Sequence, residues 1–275
     1  MTNEYLTVTE VQTRMLEMLD VLLQYFEAHN YHYVLTGGSA LGAVRHKSII
    51  PWDDDMDIAL PRDEYEKFIV DFQSNDDRFV LKNEHQPDWG YAYARLSDSS
   101  TEYVYRWGNV DNGVFIDIFP IDKLPESKYG QYLTYTLMKG LDVIRNAARR
   151  KDYQPGDRFI FWKKLLANAF KLANGAKIAH LQVHLAKMVD YICRKSGYSG
   201  LYVVQGINKL KEVNTSTTYL QTKDACLNGR KVKIPFNSNK YLTKLYGPEY
   251  MMLPPVQNRK THGKFKQKTI SACRA

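Results

Sequence analysis

Apolar residues recur three and four positions apart at Val8, Val11, Met15, Met18, Leu19, Leu22 and Phe26. Thr7 and Glu10 stand where a capping box belongs, so the spacing predicts an amphipathic helix over residues 7–28. The run Tyr33-Val34-Leu35-Thr36 then reads as a short buried strand, interrupted by Gly37-Gly38. Ser39 is placed to cap a short helix through about Val44. Pro51 makes Ser48 to Trp52 a loop, and Met56 to Leu60 a second strand closed by Pro61. Residues 62–68 open another helix with acids in its first turn, as the helix dipole favours. Tyr91 to Leu96 alternates as a strand, and Val114 to Phe119 is a third apolar strand, expected to end at Pro120.

From about Tyr129 to Ser196 the periodicity turns helical. The last third has shorter-range order: a turn at Gly229, a strand at Val232-Lys233-Ile234, and a small helix from Lys240 to Leu245 before Gly247-Pro248. Strands and helices intermix, so the expected class is α+β (mixed α/β), a small mixed β-sheet flanked by helices. The organisation expected is a single domain over 1–275, with a catalytic core at 1–125, a helical insertion at 126–200, and a 201–275 segment that completes the fold and ends in a basic tail.

At 275 residues the chain can bury a substantial core, and its 44% apolar and 25% charged composition excludes extensive disorder. Cys193, Cys226 and Cys273 are scattered, without the pairing of a zinc knuckle or a disulfide framework. A reducing, cytoplasmic compartment is the expectation. No basic n-region precedes an apolar run, and nowhere do 18 uncharged apolar residues stand together, so neither a signal peptide nor a membrane span is expected. The net charge of +8 is unevenly spread. Residues 145–171 carry eight Lys/Arg against Asp152 and Asp157, and residues 256–275 carry six Lys/Arg and no acid. Such a surface attracts nucleic acid, anionic lipid or a phosphorylated substrate, unless it is simply a solvated rim.

Candidate chemistry concentrates between residues 37 and 60. Asp53, Asp54, Asp55 and Asp57 cannot all be ionised while half buried unless something compensates them, and a divalent cation would. If the strand already includes Asp55, then Asp55 and Asp57 share one sheet face while Met56 and Ile58 take the other. Two such oxygens suit Mg²⁺ or Mn²⁺, whose remaining positions seek water and phosphate oxygens. Asp117 repeats the pattern, a lone acid inside Phe115-Ile116-Asp117-Ile118-Phe119. On a neighbouring strand it would complete a triad, as metal ligand or as base for an attacking hydroxyl. Gly37, Gly38 and Ser39 supply backbone N–H groups at a helix start, an anion seat, and Arg45, His46 and Lys47 follow beyond that helix to neutralise phosphoryl charge.

Three other motifs fail. A calcium loop starting at Asp53 would need glycine where Ile58 stands and would contain Pro61. Gly37 to Lys47 has no Walker A register. His180 and His184 are four apart, yet no glutamate occupies the metalloprotease position between them, which leaves an ordinary helix face.

The glycine-glycine-serine seat, the Asp-x-Asp and the lone strand acid together resemble the nucleotidyltransferase superfold of the polymerase β type. More narrowly, GSALGAVRHKSIIPWDDDMDIALPRDEYEKF, GVFIDIFPID and LYGPEYMMLPP, all lying between residues 37 and 255, resemble the LicD family of phosphotransferases. The resemblance implies transfer of a phospho-substituent, phosphocholine or a polyol phosphate, from a CDP-linked donor to a sugar hydroxyl of a cell-surface glycan or its lipid-linked precursor. By the same resemblance Asp55, Asp57 and Asp117 are metal ligands and catalytic carboxylates. Gly38 and Ser39 seat the donor phosphate, Arg45, His46 and Lys47 line it, and Arg95 is a further donor contact. After Pro254-Pro255 the chain departs from the family's acidic continuation with Val256-Gln257-Asn258 and its basic tail.

A nucleotidyltransferase would use the same carboxylates on a nucleoside triphosphate, with RNA or a small alcohol or sugar as acceptor, and would release pyrophosphate instead of CMP. A nucleic-acid binder is disfavoured, because four clustered aspartates repel a phosphate backbone. Phe159 to Phe170, flanked by Arg158, Lys163, Lys164 and Lys171, reads as an ordinary core-facing helix with a charged rim or, as the alternative, as a peripheral contact with the inner face of the cytoplasmic membrane.

Overall fold

A computed structural model describes residues 5–104, 110–149, 160–170, 173–195, 201–204 and 209–268. The N-terminal helix α1 (Val8–Ala28) starts on the expected capping box, with Thr7 and Glu10 each bonding the other's backbone. Its apolar stripe, Val11, Met15, Met18, Leu19, Leu22 and Phe26, is buried. Each such side chain contributes about 1.5–3 kcal/mol of transfer free energy. Then come β1 (Val34–Leu35), α2 (Gly37–Arg45), β2 (Asp57–Pro61), α3 (Arg62–Asp71), β3 (Phe79–Lys82) and β4 (Ala94–Asp98). A small sheet is formed by β5 (Thr101–Val104), β6 (Val110–Asn112) and the late β12 (Lys264–Gln267), in the order β12-β5-β6.

The spine of the molecule is β7 (Phe115–Lys123), central in a mixed sheet of order β1-β2-β7-β4-β3. It runs parallel to β2 and antiparallel to β4, and α1 and α3 pack against it. Contrary to expectation, this strand runs through Pro120. Asp117 N–H donates to Met56 C=O on the β2 side, so by alternation the missing N–H of Pro120 faces the opposite edge. There the β4 ladder stops at Ile118 and the next partner, β8 (Leu201–Val204), begins only at Ile121. The proline sits at the gap between two neighbours, where no donor is needed.

Three helices follow β7: α4 (Lys128–Arg149), α5 (Ile160–Ala169) and α6 (Gly175–Lys195), with α4 packed on both others and α6 packed on β7. The basic stretch over these helices is partly an interior feature. Arg145 is buried, bonded to Gln182 and Asp142, and both Arg145 and Arg149 stack over the Tyr91 ring. Arg150, Lys151, Arg158, Phe159 and Lys171 lie outside the described residues, as do tail residues 269–275. His180 and His184 are exposed on the outer face of α6, as an ordinary helix face requires. Among the described residues no helix is long and apolar enough to cross a membrane.

The C-terminal part comprises β9 (Asn214–Thr215), which pairs with β8, the one-turn α7 (Ser216–Tyr219), the hairpin β10 (Thr222–Leu227) and β11 (Arg230–Pro235), and α8 (Ser238–Tyr246). The hairpin turns at Asn228 and Gly229, both with positive φ. It packs on β1 and α2, and α8 packs on α2, so the C-terminal segment folds back over the glycine turn.

Candidate active site

The site is built where β1 hands over to α2 and where β2 meets β7. Gly37 has a φ of +53°, the left-handed region that favours glycine, and it turns the chain directly into the helix. Thr36 is therefore the residue at the helix cap, and it makes no side-chain capping bond. Ser39, expected there, lies inside the helix, because the turn needs one residue rather than two. Its hydroxyl accepts from Asp57 N–H at 2.8 Å, while Thr36 N–H donates to Asp57 C=O. The backbone of Asp57 is thus clamped to the start of α2.

Asp57 and Asp117 are direct register partners on parallel strands, so their carboxyls rise from the same sheet face. Asp55 lies just before β2 rather than in it, because the strand opens only at Asp57. Asp55 and Asp53 nonetheless turn toward Asp57. Burial first, then the charges of Asp55, Asp117, Asp53 and Glu212, holds the Asp57 carboxyl well above the usual carboxylate range. Burial and the hydrogen-bonded Asp55 push Asp53 up to about 8. The glycines permit this approach. A Cβ on Gly37 would stand 3.2 Å from Asp57 Oδ2, and one on Gly38 only 2.9 Å from Asp53 Oδ2.

Asp54 has a different job. It is buried, and its two oxygens accept from the backbone N–H groups of His262 and Gly263 at 2.8–3.0 Å and meet His262 Nδ1 at 3.0 Å. That hydrogen bond, against burial, raises His262 to about 9. One ligand atom each of Asp53, Asp54, Asp55 and His262 lies within 4.8 Å of the others. Asp54 and His262, however, already engage each other. The oxygens left to a cation are those of Asp53, Asp55, Asp57 and Asp117. Arg95 grips Asp117 through two bonds, at 2.7 and 3.1 Å, with its guanidinium 3.6 Å from the Phe115 ring centroid. Each carboxylate oxygen still has a lone pair to spare. Four converging carboxylates with too little positive charge nearby are the donor set a hard divalent cation fits.

The expected anion seat is only partly open. Gly37 N–H donates to the buried Tyr241 hydroxyl at 3.0 Å. Arg45 donates to the carbonyls of Tyr250 and Met252 and to His46 Nε2, which ties α2 to the loop after α8. Burial and Arg45 lower the pKa of His46, which meets Trp52 edge to face. Lys47 is exposed, and its carbonyl accepts from Asn228 N–H. Arg95 reaches the site through Asp117. Sequence reasoning gave no individual role to Asp53, Tyr241, Glu212, His262 or Tyr246, whose hydroxyl lies 3.8 Å from where a Gly37 Cβ would stand and whose pKa is raised by burial and then by the Asp57 charge. Tyr246 stands in the LYGPEYMMLPP block, and Asp53 in the acidic cluster, so both carried a signal. Glu212 and His262 had none, because only the tertiary fold brings them to the carboxylates.

Residues 30–161 match the family described as LicD/FKTN/FKRP, nucleotidyltransferase domain. The segment spans the glycine turn, β2, β4 and β7, that is, every carboxylate of the cluster. Over 269 residues the chain is 28% identical to the lipopolysaccharide cholinephosphotransferase LicD of Haemophilus influenzae (strain ATCC 51907 / DSM 11121 / KW20 / Rd), an alignment covering 94% of this chain and 96% of that one. Near end-to-end likeness, together with strand acids that meet in register beside the glycine turn, supports a LicD family phosphotransferase: the protein is a transferase of phosphate-containing groups.

Proposed function

We propose that the protein transfers phosphocholine from CDP-choline to a sugar hydroxyl of a cell-surface glycan or its lipid-linked precursor, in the cytoplasm, releasing CMP. The observation that carries this reading is the convergence of Asp53, Asp55, Asp57 and Asp117 on one side of the Gly37-Gly38 turn. The likeness to a lipopolysaccharide cholinephosphotransferase supports choline as the alcohol and lipopolysaccharide as the acceptor class. Asp55 and Asp57, with Asp53 and Asp117 beside them, would hold Mg²⁺ or Mn²⁺, which when bound would neutralise donor diphosphate and polarise the phosphorus. Arg95 fixes the orientation of Asp117, which directs the acceptor hydroxyl and takes its proton. The acceptor oxygen bonds to the choline-bearing phosphorus as the bond to CMP breaks. Gly38 and Ser39 border the donor phosphates.

The test is turnover with Mg²⁺ and a panel of CDP-choline, CDP-glycerol, CDP-ribitol, CTP and ATP. CMP release from CDP-choline, silenced by EDTA, is expected. Pyrophosphate from CTP or ATP would support the nucleotidyltransferase alternative, which the match of residues 30–161 to a nucleotidyltransferase domain favours. Asp57→Ala should cut the rate by about 10³ or more. Its thermal midpoint in EDTA should be no lower than the parent's, because the side chain removed is one its neighbours repel. An Asp57→Ala enzyme with near-parental turnover would overturn the assignment.

A further inference from the structure

The helices that follow β7 present large apolar side chains to solvent on a scale the rest of the molecule does not. Twelve of the 23 exposed large apolar residues among those described lie on α4, α5 and α6. Tyr129 is 77%, Phe161 68%, Trp162 60% and Tyr191 57% exposed. The pattern is ordered. On α6 the outward positions Leu181, Met188, Tyr191 and Ile192 recur at helical spacing, while Ala179, Val183, Ala186 and Asp190 face inward. Helix α4 repeats this with Tyr129, Tyr132, Leu133 and Leu137.

The charge on these helices is sorted to match. Lys128, Lys177 and Lys195 are exposed, and the Lys195 ammonium lies 4.7 Å from the Tyr191 ring centroid. The three helices contain just two acids, and both are tied to inner partners. Asp142 is bonded by Arg145 and Gln182, and buried Asp190 accepts from Lys123 N–H and Arg194. The outer face therefore combines Trp, Tyr and Phe with lysines and no outward carboxylate. Such a face would repel its own copy in a twofold contact, which sets like patches against each other. A bilayer carrying anionic headgroups complements it, with aromatic rings at headgroup depth and lysines reaching lipid phosphate.

We propose that the outer face of α4–α6 docks the protein peripherally on an anionic phospholipid surface. The proposal stands independently of the transfer chemistry, since its readout is binding. The full-length protein is sedimented with vesicles of phosphatidylcholine alone, or of phosphatidylcholine mixed with phosphatidylglycerol. Pelleting is expected with the anionic vesicles and should fall as salt rises. The Phe161→Ser/Trp162→Ser variant should weaken partitioning about tenfold or more, and Lys128→Glu/Lys177→Glu/Lys195→Glu at least as much. All five side chains are exposed, so circular dichroism and soluble-donor turnover should stay unchanged. Equal binding to both vesicle types, no pelleting with the anionic ones, or parental binding by both variants would overturn the proposal. So would a concentration-dependent dimer, seen by sedimentation velocity, that the same substitutions abolish.

Discussion

At the scale of single residues, the two glycines do different work, and substitution should separate them. Gly37 occupies the left-handed region, where a Cβ costs about 1 kcal/mol or more. That atom would also press on Asp57 Oδ2 at 3.2 Å. Gly38 has no such backbone constraint. Its added Cβ would meet only the end of the Asp53 side chain, which can swing away, and alanine is the better helix former by up to about 1 kcal/mol. Gly37→Ala should therefore lose both stability and turnover. Gly38→Ala should keep its urea midpoint within about 0.5 kcal/mol of the parent yet lose turnover about tenfold or more, because Asp53 has left the cluster. A fully active Gly38→Ala enzyme would show that the position of Asp53 is irrelevant to the reaction.

At the scale of elements, β7 organises both stability and site. Its front half carries Asp117 to β2, and its back half carries Asp122, whose carboxylate accepts two bonds from buried Arg62 at 2.6 and 2.8 Å. That pair locks the first turn of α3 to the spine. Removing one member of a buried pair strands the other, so Asp122→Ala should cost about 3–5 kcal/mol in denaturant unfolding, far more than any site aspartate. A loss under about 1 kcal/mol would mean that the Glu66 partner of Arg62 suffices alone. Periodicity made α1 and the apolar strands around Ile58 and Ile116 legible, because a buried stripe must repeat at the element's own period. It missed β3, β5 and β12, four-residue segments too short to show a period, and β12 finds its partner β5 only from the far end of the chain. It also ended β7 too early. A proline's tolerance depends on which neighbour its missing donor faces, and that is a property of the sheet. Within the site the acids were legible as charges that burial would not tolerate alone. The inward turn of Arg45 and Arg95 was not, since their partners, a carbonyl pair beyond α8 and an acid on the adjoining strand β7, are distant in sequence.

At the scale of the whole molecule, an uneven layout of charge surrounds a core rich in buried phenols. Tyr65, Tyr93, Tyr219 and Tyr241 are held well above their ordinary value by burial, and Tyr33 is pushed up to about 12 by the same cause. In the unfolded chain these groups ionise near the ordinary value of 10. A group whose folded pKa is raised contributes its stability in full below the unfolded value and loses it as pH climbs through the folded one. The fold should thus weaken progressively from about pH 10 to pH 12, with Tyr33 alone accounting for up to about 2 kcal/mol. Urea midpoints measured across that interval check the slope, and Tyr33→Phe isolates one contributor. The variant should match the parent to within about 1 kcal/mol near neutrality, since it loses one hydrogen-bonding hydroxyl and no apolar surface. Above pH 10 it should fall less steeply. If its slope equals the parent's, the Tyr33 hydroxyl ionises as readily in the fold as in the open chain, and the packing of β1 against β11 admits far more water than its burial implies.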